Sequence, residues 1–254
     1  MAGVALLKVD AHLGRGLTAG ERELAERALV APAMRLPTGV WDPRPLAHHG
    51  RNALGLLLVQ GTLSHTVTMG GRTTSHLCGP GDVLRPWADR EGDDAERICS
   101  AWAVLAPAIV ALFDRRLIGL SARWPSILVE LASRAGRQAT RLSVQVAIAR
   151  IPRIDDRLLV LFWRLGQRWG RMTPDGVLLP LPLTHEMIAS LVAASRPPVS
   201  TALSQLAREG LLRRTRDGWL MAPAVEARLP EAVELQEEPG PPRYTRSSAI
   251  RTSA

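Results

Sequence analysis

Leu183–Arg214, LTHEMIASLVAASRPPVSTALSQLAREGLLRR, reads as two short helices joined by a tight turn. Thr184 opens the first as an N-cap whose hydroxyl takes an otherwise orphaned backbone N–H. Ile188, Leu191 and Val192 recur at helical spacing and give that helix one apolar face. Ala193-Ala194 make the turn, and Ser195 is a second N-cap. Pro197 and Pro198 fall in the first turn of the next helix, where missing N–H groups do least harm. Val199, Leu203 and Leu206 form the buried stripe of that helix, and Gly210 ends it. Such a pair is a helix-turn-helix. Arg196, Thr201, Ser204, Gln205 and Arg208 lie on the outer face or at its start, where a DNA major groove is read.

The residues that follow extend the pattern. Leu211 to Leu220 alternate apolar and polar side chains around Asp217-Gly218, a favoured two-residue hairpin turn. A hairpin directly after a recognition helix makes a winged variant, and Arg213, Arg214 and Arg216 on it suit phosphate contact.

The string T-H-E-x-I-A-x-L-V-x-A-S-R-P-x-V-S-x-A-L-x-x-L-x-x-E-G-L-L resembles the DNA-binding module of the Crp/Fnr (cyclic-AMP receptor protein-like) bacterial transcription regulators, over about 40 residues. The resemblance implies a cytoplasmic, homodimeric, sequence-specific DNA-binding regulator rather than an enzyme. It implies double-stranded DNA, a second copy of the chain and RNA polymerase as partners.

Composition is compatible with this. A chain of 254 residues with 46% apolar residues can bury a sizeable core in one large domain or two ordinary ones. The formal charge of +8 is unevenly placed. Basic residues outnumber acidic ones by five to one in 121–150 and ten to six in 151–222, against thirteen to twelve in 1–120. The excess sits on the helix-turn-helix side, as a nucleic-acid footprint requires. Cys78 and Cys99 are too few for an iron–sulfur cluster and lack zinc spacing, so both read as buried, inert thiols. Met1–Leu7 is too short for a signal peptide, and the longest apolar run, 13 residues from Ala101 to Phe113, contains a proline and is too short to span a bilayer.

Residues 1–17 are uninformative. Thr18-Ala19-Gly20-Glu21 is a capping box opening a short helix. From Val30 to Phe113, short apolar runs (55–61, then to Met69, then to Cys78, 98–104 and 109–113) alternate with Gly, Pro and Asp breaks. Gly79-Pro80-Gly81-Asp82 is a strong turn. Many short strands with regular turns suggest an antiparallel jelly-roll barrel. The same order resembles the family's cyclic-nucleotide-binding-like effector barrel. Members that bind cyclic nucleotides carry a Gly-Glu pair after that turn and later an Arg-Ser/Thr-Ala cassette. Neither is present after Asp82, and 89–97 holds five carboxylates that repel an anion. Segment 89–97 therefore reads as a solvated loop. Cyclic AMP is not the expected ligand, and the effector's identity is open.

A cupin-like metal enzyme, with C-terminal helices serving protein contact, is the competing class. His65 and His76 stand alone, and His48-His49 diverge if they lie on a strand. No cofactor or metal site is expected, and no nucleophile triad or phosphate loop stands out.

Trp124-Pro125 marks a new helix. Leu128, Ala132, Ala135, Ala139, Leu142, Val146 and Ala149 are spaced 4, 3, 4, 3, 4 and 3, an unbroken heptad seam. Alanines let two helices approach closely, and Arg134, Arg137 and Arg141 fall on the outer positions. A helix-turn-helix needs a partner to span half-sites about 34 Å apart, and the seam coincides with the family's dimerisation helix. Ile151-Pro152 breaks it. Asp155-Asp156 start a further helix, buried through Leu158, Leu159, Leu161, Phe162, Leu165 and Trp169. Residues 170–183 form a loop or hairpin around Pro174-Asp175-Gly176.

The expected architecture is α+β: an effector-like barrel domain over 1–120, a dimerisation helix over 121–150, a winged helix-turn-helix over 151–222 and a disordered tail over 223–254. The candidate DNA-contacting set is Thr184, Ser195, Arg196, Pro197, Val199, Ser200, Thr201, Ser204, Gln205, Arg208, Arg214 and Arg216. By resemblance, Thr184 and Ser195 meet phosphates and Arg196 pairs with guanine. Where the family's best-known pattern has Glu and a second Arg, this chain has Pro197 and Thr201, and Thr201 can pack on a thymine methyl. Ala193 replaces the usual turn glycine, at about 1 kcal/mol if its φ is positive.

Overall fold

The computed structural model describes residues 2–49, 52–88 and 99–229. The described residues fall into two compact units, the first within Met1–His65 and Leu77–Ala139, the second within Thr66–His76 and Thr140–Gly240. The acidic segment 89–97 and the tail from residue 230 onward lie outside the described residues.

The first unit begins with β1 (Ala2–Ala5), α1 (Leu6–Val9) and α2 (Ala19–Ala28). The capping box at the start of α2 is formed in both directions, Thr18 with Glu21. Next along the chain come β2 (Val30–Leu36), β3 (Gly39–Trp41), β4 (Ala53–Met69), β5 (Arg72–Cys78), β6 (Val83–Leu84) and β7 (Cys99–Asp114), of which the stretch Thr66–His76 belongs to the second unit. The helices α3 (Arg115–Ser121) and α4 (Pro125–Arg150) follow.

The strands form one antiparallel sheet in the order β1-β2-β7-β4-β5, with β3 on β7 and β6 on β4. The path is open, which corrects the expected closed barrel. Alternation along the strands explains how an open sheet is satisfied. Leu57 and Val59 of β4, with Ala111 and Phe113 of β7, join a cluster with Leu7, Leu29, Leu117, Trp124 and Leu131 from the helices. The intervening Leu56 and Leu58, with Val110 and Leu112, join Trp87, Trp102 and Leu84 on the other side. Both faces are covered.

The runs 55–61 and 62–69 are a single strand. Gly61, with φ of +92°, lets β4 continue because a Cβ there would lie 2.6 Å from the Ala108 Cα. Likewise the described part of the first run, 99–104, and the run 109–113 are one strand, β7, containing Pro107. The Gly-Pro-Gly-Asp turn is closed by Asp82, whose Oδ2 accepts the Gly79 N–H at 2.9 Å. His48 and His49 sit in a 3-10 turn, their ring centroids 3.9 Å apart, and so do not diverge. Cys78 is buried, but Cys99 is exposed at the start of β7, contrary to expectation.

The second unit contains α5 (Ile154–Trp169), β8 (Arg171–Thr173), β9 (Gly176–Leu179), α6 (His185–Leu191), α7 (Arg196–Arg208), β10 (Leu212–Thr215) and β11 (Gly218–Met221). Its sheet runs β10-β11-β9-β8, so the wing hairpin is half of a four-stranded sheet. Residues 223–228 form a 3-10 turn with Val225 fully buried, so order extends past the expected end at 222.

Candidate nucleic-acid interface

The helix pair is built as a rigid corner. Thr184 Oγ1 accepts the Met187 N–H at 3.2 Å, capping α6. Ile188, Ala189, Leu191 and Val192 bury its inner face. At its end Ala193 takes φ of +51°, the Ala194 N–H donates to the Ala189 carbonyl at 2.9 Å, and the Ala193 N–H reaches the Ser190 carbonyl at 3.4 Å. Gly210 (φ of +72°) ends α7 in the same way, with Leu211 N–H on Leu206 O at 2.9 Å and Gly210 N–H on Ala207 O at 3.1 Å. Both are Schellman closures, one on alanine and one on glycine.

The start of α7 is unusual. Ser195 occupies the N-cap with extended backbone, yet its side chain makes no capping bond. An N-cap hydroxyl takes the N–H of the second or third helical residue; here those are Pro197 and Pro198, which have none. The Ser195 hydroxyl is therefore left for other partners.

Val199, Ala202, Leu203 and Leu206 fix α7 from beneath. Val199 is 0% exposed, so it holds the helix and does not belong to a DNA-facing surface. Ser200 is half-buried, its Oγ 3.0 Å from His185 Nδ1; it pins α7 to α6. Arg196, Pro197, Thr201, Ser204 and Arg208 are exposed along one side, with Gln205 half-buried beside them. Arg196, Arg208 and Arg216 have no hydrogen bond or ion pair among the described residues.

The wing is tied to this corner through the Leu183 carbonyl. Trp219 Nε1 donates to it at 3.1 Å, and so does Arg214 Nη1, with the Arg214 guanidinium carbon 5.3 Å from the Trp219 ring centroid. Arg214 thus turns part of its fork inward, while Arg216 stays outward at the hairpin tip. Arg213 approaches Asp175 at 3.8 Å. The roles of His185 and Trp219 escaped the sequence reading, because a ring that locks a neighbouring helix leaves no periodic signal.

Residues 156–226 match the Crp-like helix-turn-helix domain. The cyclic AMP receptor protein of Thermus thermophilus is 26% identical over 173 residues, covering 67% of this chain and 76% of that protein. The C-terminal part of the chain thus carries a Crp-like helix-turn-helix domain. Among solved structures similar to this chain is a CooA mutant from Carboxydothermus hydrogenoformans (TM-score 0.60, 15% identity, 78% of this chain and 85% of that one). A CRP-family transcriptional regulator from Thermus thermophilus is also similar (TM-score 0.56, 20% identity, 76% and 95%).

Further features of α4 bear on assembly. Along α4, Ala132, Ala135, Ala139, Leu142 and Val146 are exposed, while Leu128 and Ala149 are half-buried. Leu142 and Val146 expose 39% and 58% of their surface, a large apolar cost for a helix face left in water. Arg134, expected on the outer side, is instead buried on the sheet side with Ile127 and Leu131. Within the second unit, Gln145 of α4 donates to the Leu191 carbonyl at 3.1 Å and to the Ser75 carbonyl, joining the end of α6 to the middle of β5. No described helix is long and apolar enough to cross a membrane.

Proposed function

We propose that this chain is a cytoplasmic transcription regulator that binds DNA as a homodimer through α7 and acts by binding rather than by catalysis. The observation that carries the proposal is the division of α7. One side is locked into the unit by Val199, Leu203 and Leu206, while the other presents Arg196 and Arg208 without internal partners. A helix held on its apolar side with unpaired guanidinium groups outward fits a major groove lined with guanine O6 and N7 acceptors.

In this reading Arg196 pairs with guanine, while Thr201, Ser204, Gln205 and Arg208 face the groove. Thr184 and the uncapped Ser195 hydroxyl meet phosphates, and Arg214 and Arg216 place the wing along the backbone. The α4 seam, Leu128 through Ala149, brings two copies together so that two α7 helices reach successive grooves. The sheet unit over 1–120 serves as sensor or scaffold, and RNA polymerase is the downstream partner.

Binding to a duplex measured against salt tests this directly. Phosphate contact gives a steep linear fall of log K with log salt. Arg196→Ala should remove sequence preference while keeping nonspecific binding. A salt-independent interaction, or unchanged discrimination in Arg196→Ala, contradicts the assignment.

A further inference from the structure

On the outer side of α7 most polar side chains are already engaged within the helix. Thr201 Oγ1 donates to the Pro197 carbonyl at 3.3 Å, Ser204 Oγ to the Ser200 carbonyl at 2.9 Å, and Gln205 Nε2 to Glu209 Oε1 at 2.7 Å. Pro197 has no donor at all. Positions 197 and 201 are one helical turn apart and both exposed, so they share one stripe. Beside Arg196, that stripe offers a groove carbon rather than hydrogen bonds: a pyrrolidine ring and the Thr201 methyl. The base-edge group in the major groove that meets carbon is the thymine C5 methyl. A cytosine in the same place has only C5–H where thymine carries its methyl, so the apolar contact with the ring and the Thr201 methyl is lost.

We infer that Pro197 and Thr201 read thymine methyl groups, so that each half-site is a guanine taken by Arg196 beside thymine recognised by its methyl alone. The inference rests on α7 being the DNA-reading helix. It replaces the charge-based reading that a glutamate and a second arginine would provide with an apolar one.

The test uses the full-length protein and the duplex it enriches from a random pool. Each thymine is replaced in turn by deoxyuridine, which removes only the methyl group. At one or two thymines neighbouring the guanine, binding should weaken by about three- to fivefold per methyl. Thr201→Val, which keeps a methyl and loses the hydroxyl, should keep that sensitivity. Thr201→Ser, which keeps the hydroxyl and loses the methyl, should bind the thymine duplex more weakly and lose its response to uracil at one position. Melting curves of both variants control for folding, and position 201 is exposed. Equal affinity for thymine and uracil duplexes overturns the inference while leaving α7 as the reading helix. So does Thr201→Val behaving like Thr201→Ser. Failure to enrich any duplex overturns both.

Discussion

Asp10 and Arg134, 124 positions apart in sequence, form a two-pronged ion pair inside the first unit. Nη2 donates to Oδ1 at 3.0 Å, Nη1 donates to Oδ2, and the side chains are 1% and 6% exposed. Arg134 also takes Glu130 at 2.9 Å, so one guanidinium joins α4 to the segment after α1. Removing one member of a buried pair leaves a charge without compensation, at about 3–5 kcal/mol. Arg134→Met should lower unfolding free energy by about that amount in denaturant titration. A loss below about 1 kcal/mol contradicts a structural role for the pair.

Glu130 sets an acid limit on the same region. Burial pushes its carboxyl up, but the hydrogen bond and charge of Arg134, together with Arg137, outweigh it and hold the group below the ordinary glutamate value. A depressed folded value means stability is present above the unfolded value and is lost as pH falls through the folded one. Wild type should therefore lose stability on acidification below about pH 4.3, and Glu130→Gln should flatten that limb. Parallel acid profiles for the two proteins contradict the coupling.

Ala193 holds a position that Gly210 holds at the end of the next helix. A non-glycine residue there carries a left-handed φ, and glycine relieves about 1 kcal/mol of it, less what the freer unfolded chain takes back. Ala193→Gly should raise the melting temperature of the second unit, or at least not lower it. A clear drop shows that the alanine methyl contributes packing that outweighs the backbone strain.

The helix-turn-helix was legible because everything that makes it is local: caps, periodic leucines, a proline pair and a C′ glycine. The apolar stripe read from periodicity in α7 kept its place, as the burial of Val199 with Leu203 and Leu206 shows. Val199 stood both in the apolar stripe and among the DNA-contacting candidates, and its full burial fits the stripe. The sheet was legible in class but not in strand count, because Gly61 and Pro107 look like breaks in sequence and are passed through in space. Arg134 misled because its partner is a remote Asp10 in a stretch that carries no pattern. His185 was quoted only as a letter in a motif; its grip on Ser200 depends on two helices meeting.

The α4 seam leads to a separate expectation. Leu142 lies mid-seam and is 39% exposed in the single chain. In the proposed dimer a charge there would face its own copy across an apolar contact, so Leu142→Glu should sediment as a monomer where wild type is expected to sediment as a dimer. A variant that stays dimeric places the interface elsewhere.

In the proposed dimer two copies of α7 read DNA together. The most direct measurement of this is selection of bound duplexes from a random pool by the purified protein at low salt. The expected result is an enriched inverted repeat whose half-sites are about 34 Å apart, one helical turn, each containing a guanine that Arg196→Ala no longer requires. An enriched sequence without two-fold repetition contradicts the dimer, and no enrichment at all contradicts DNA reading by α7.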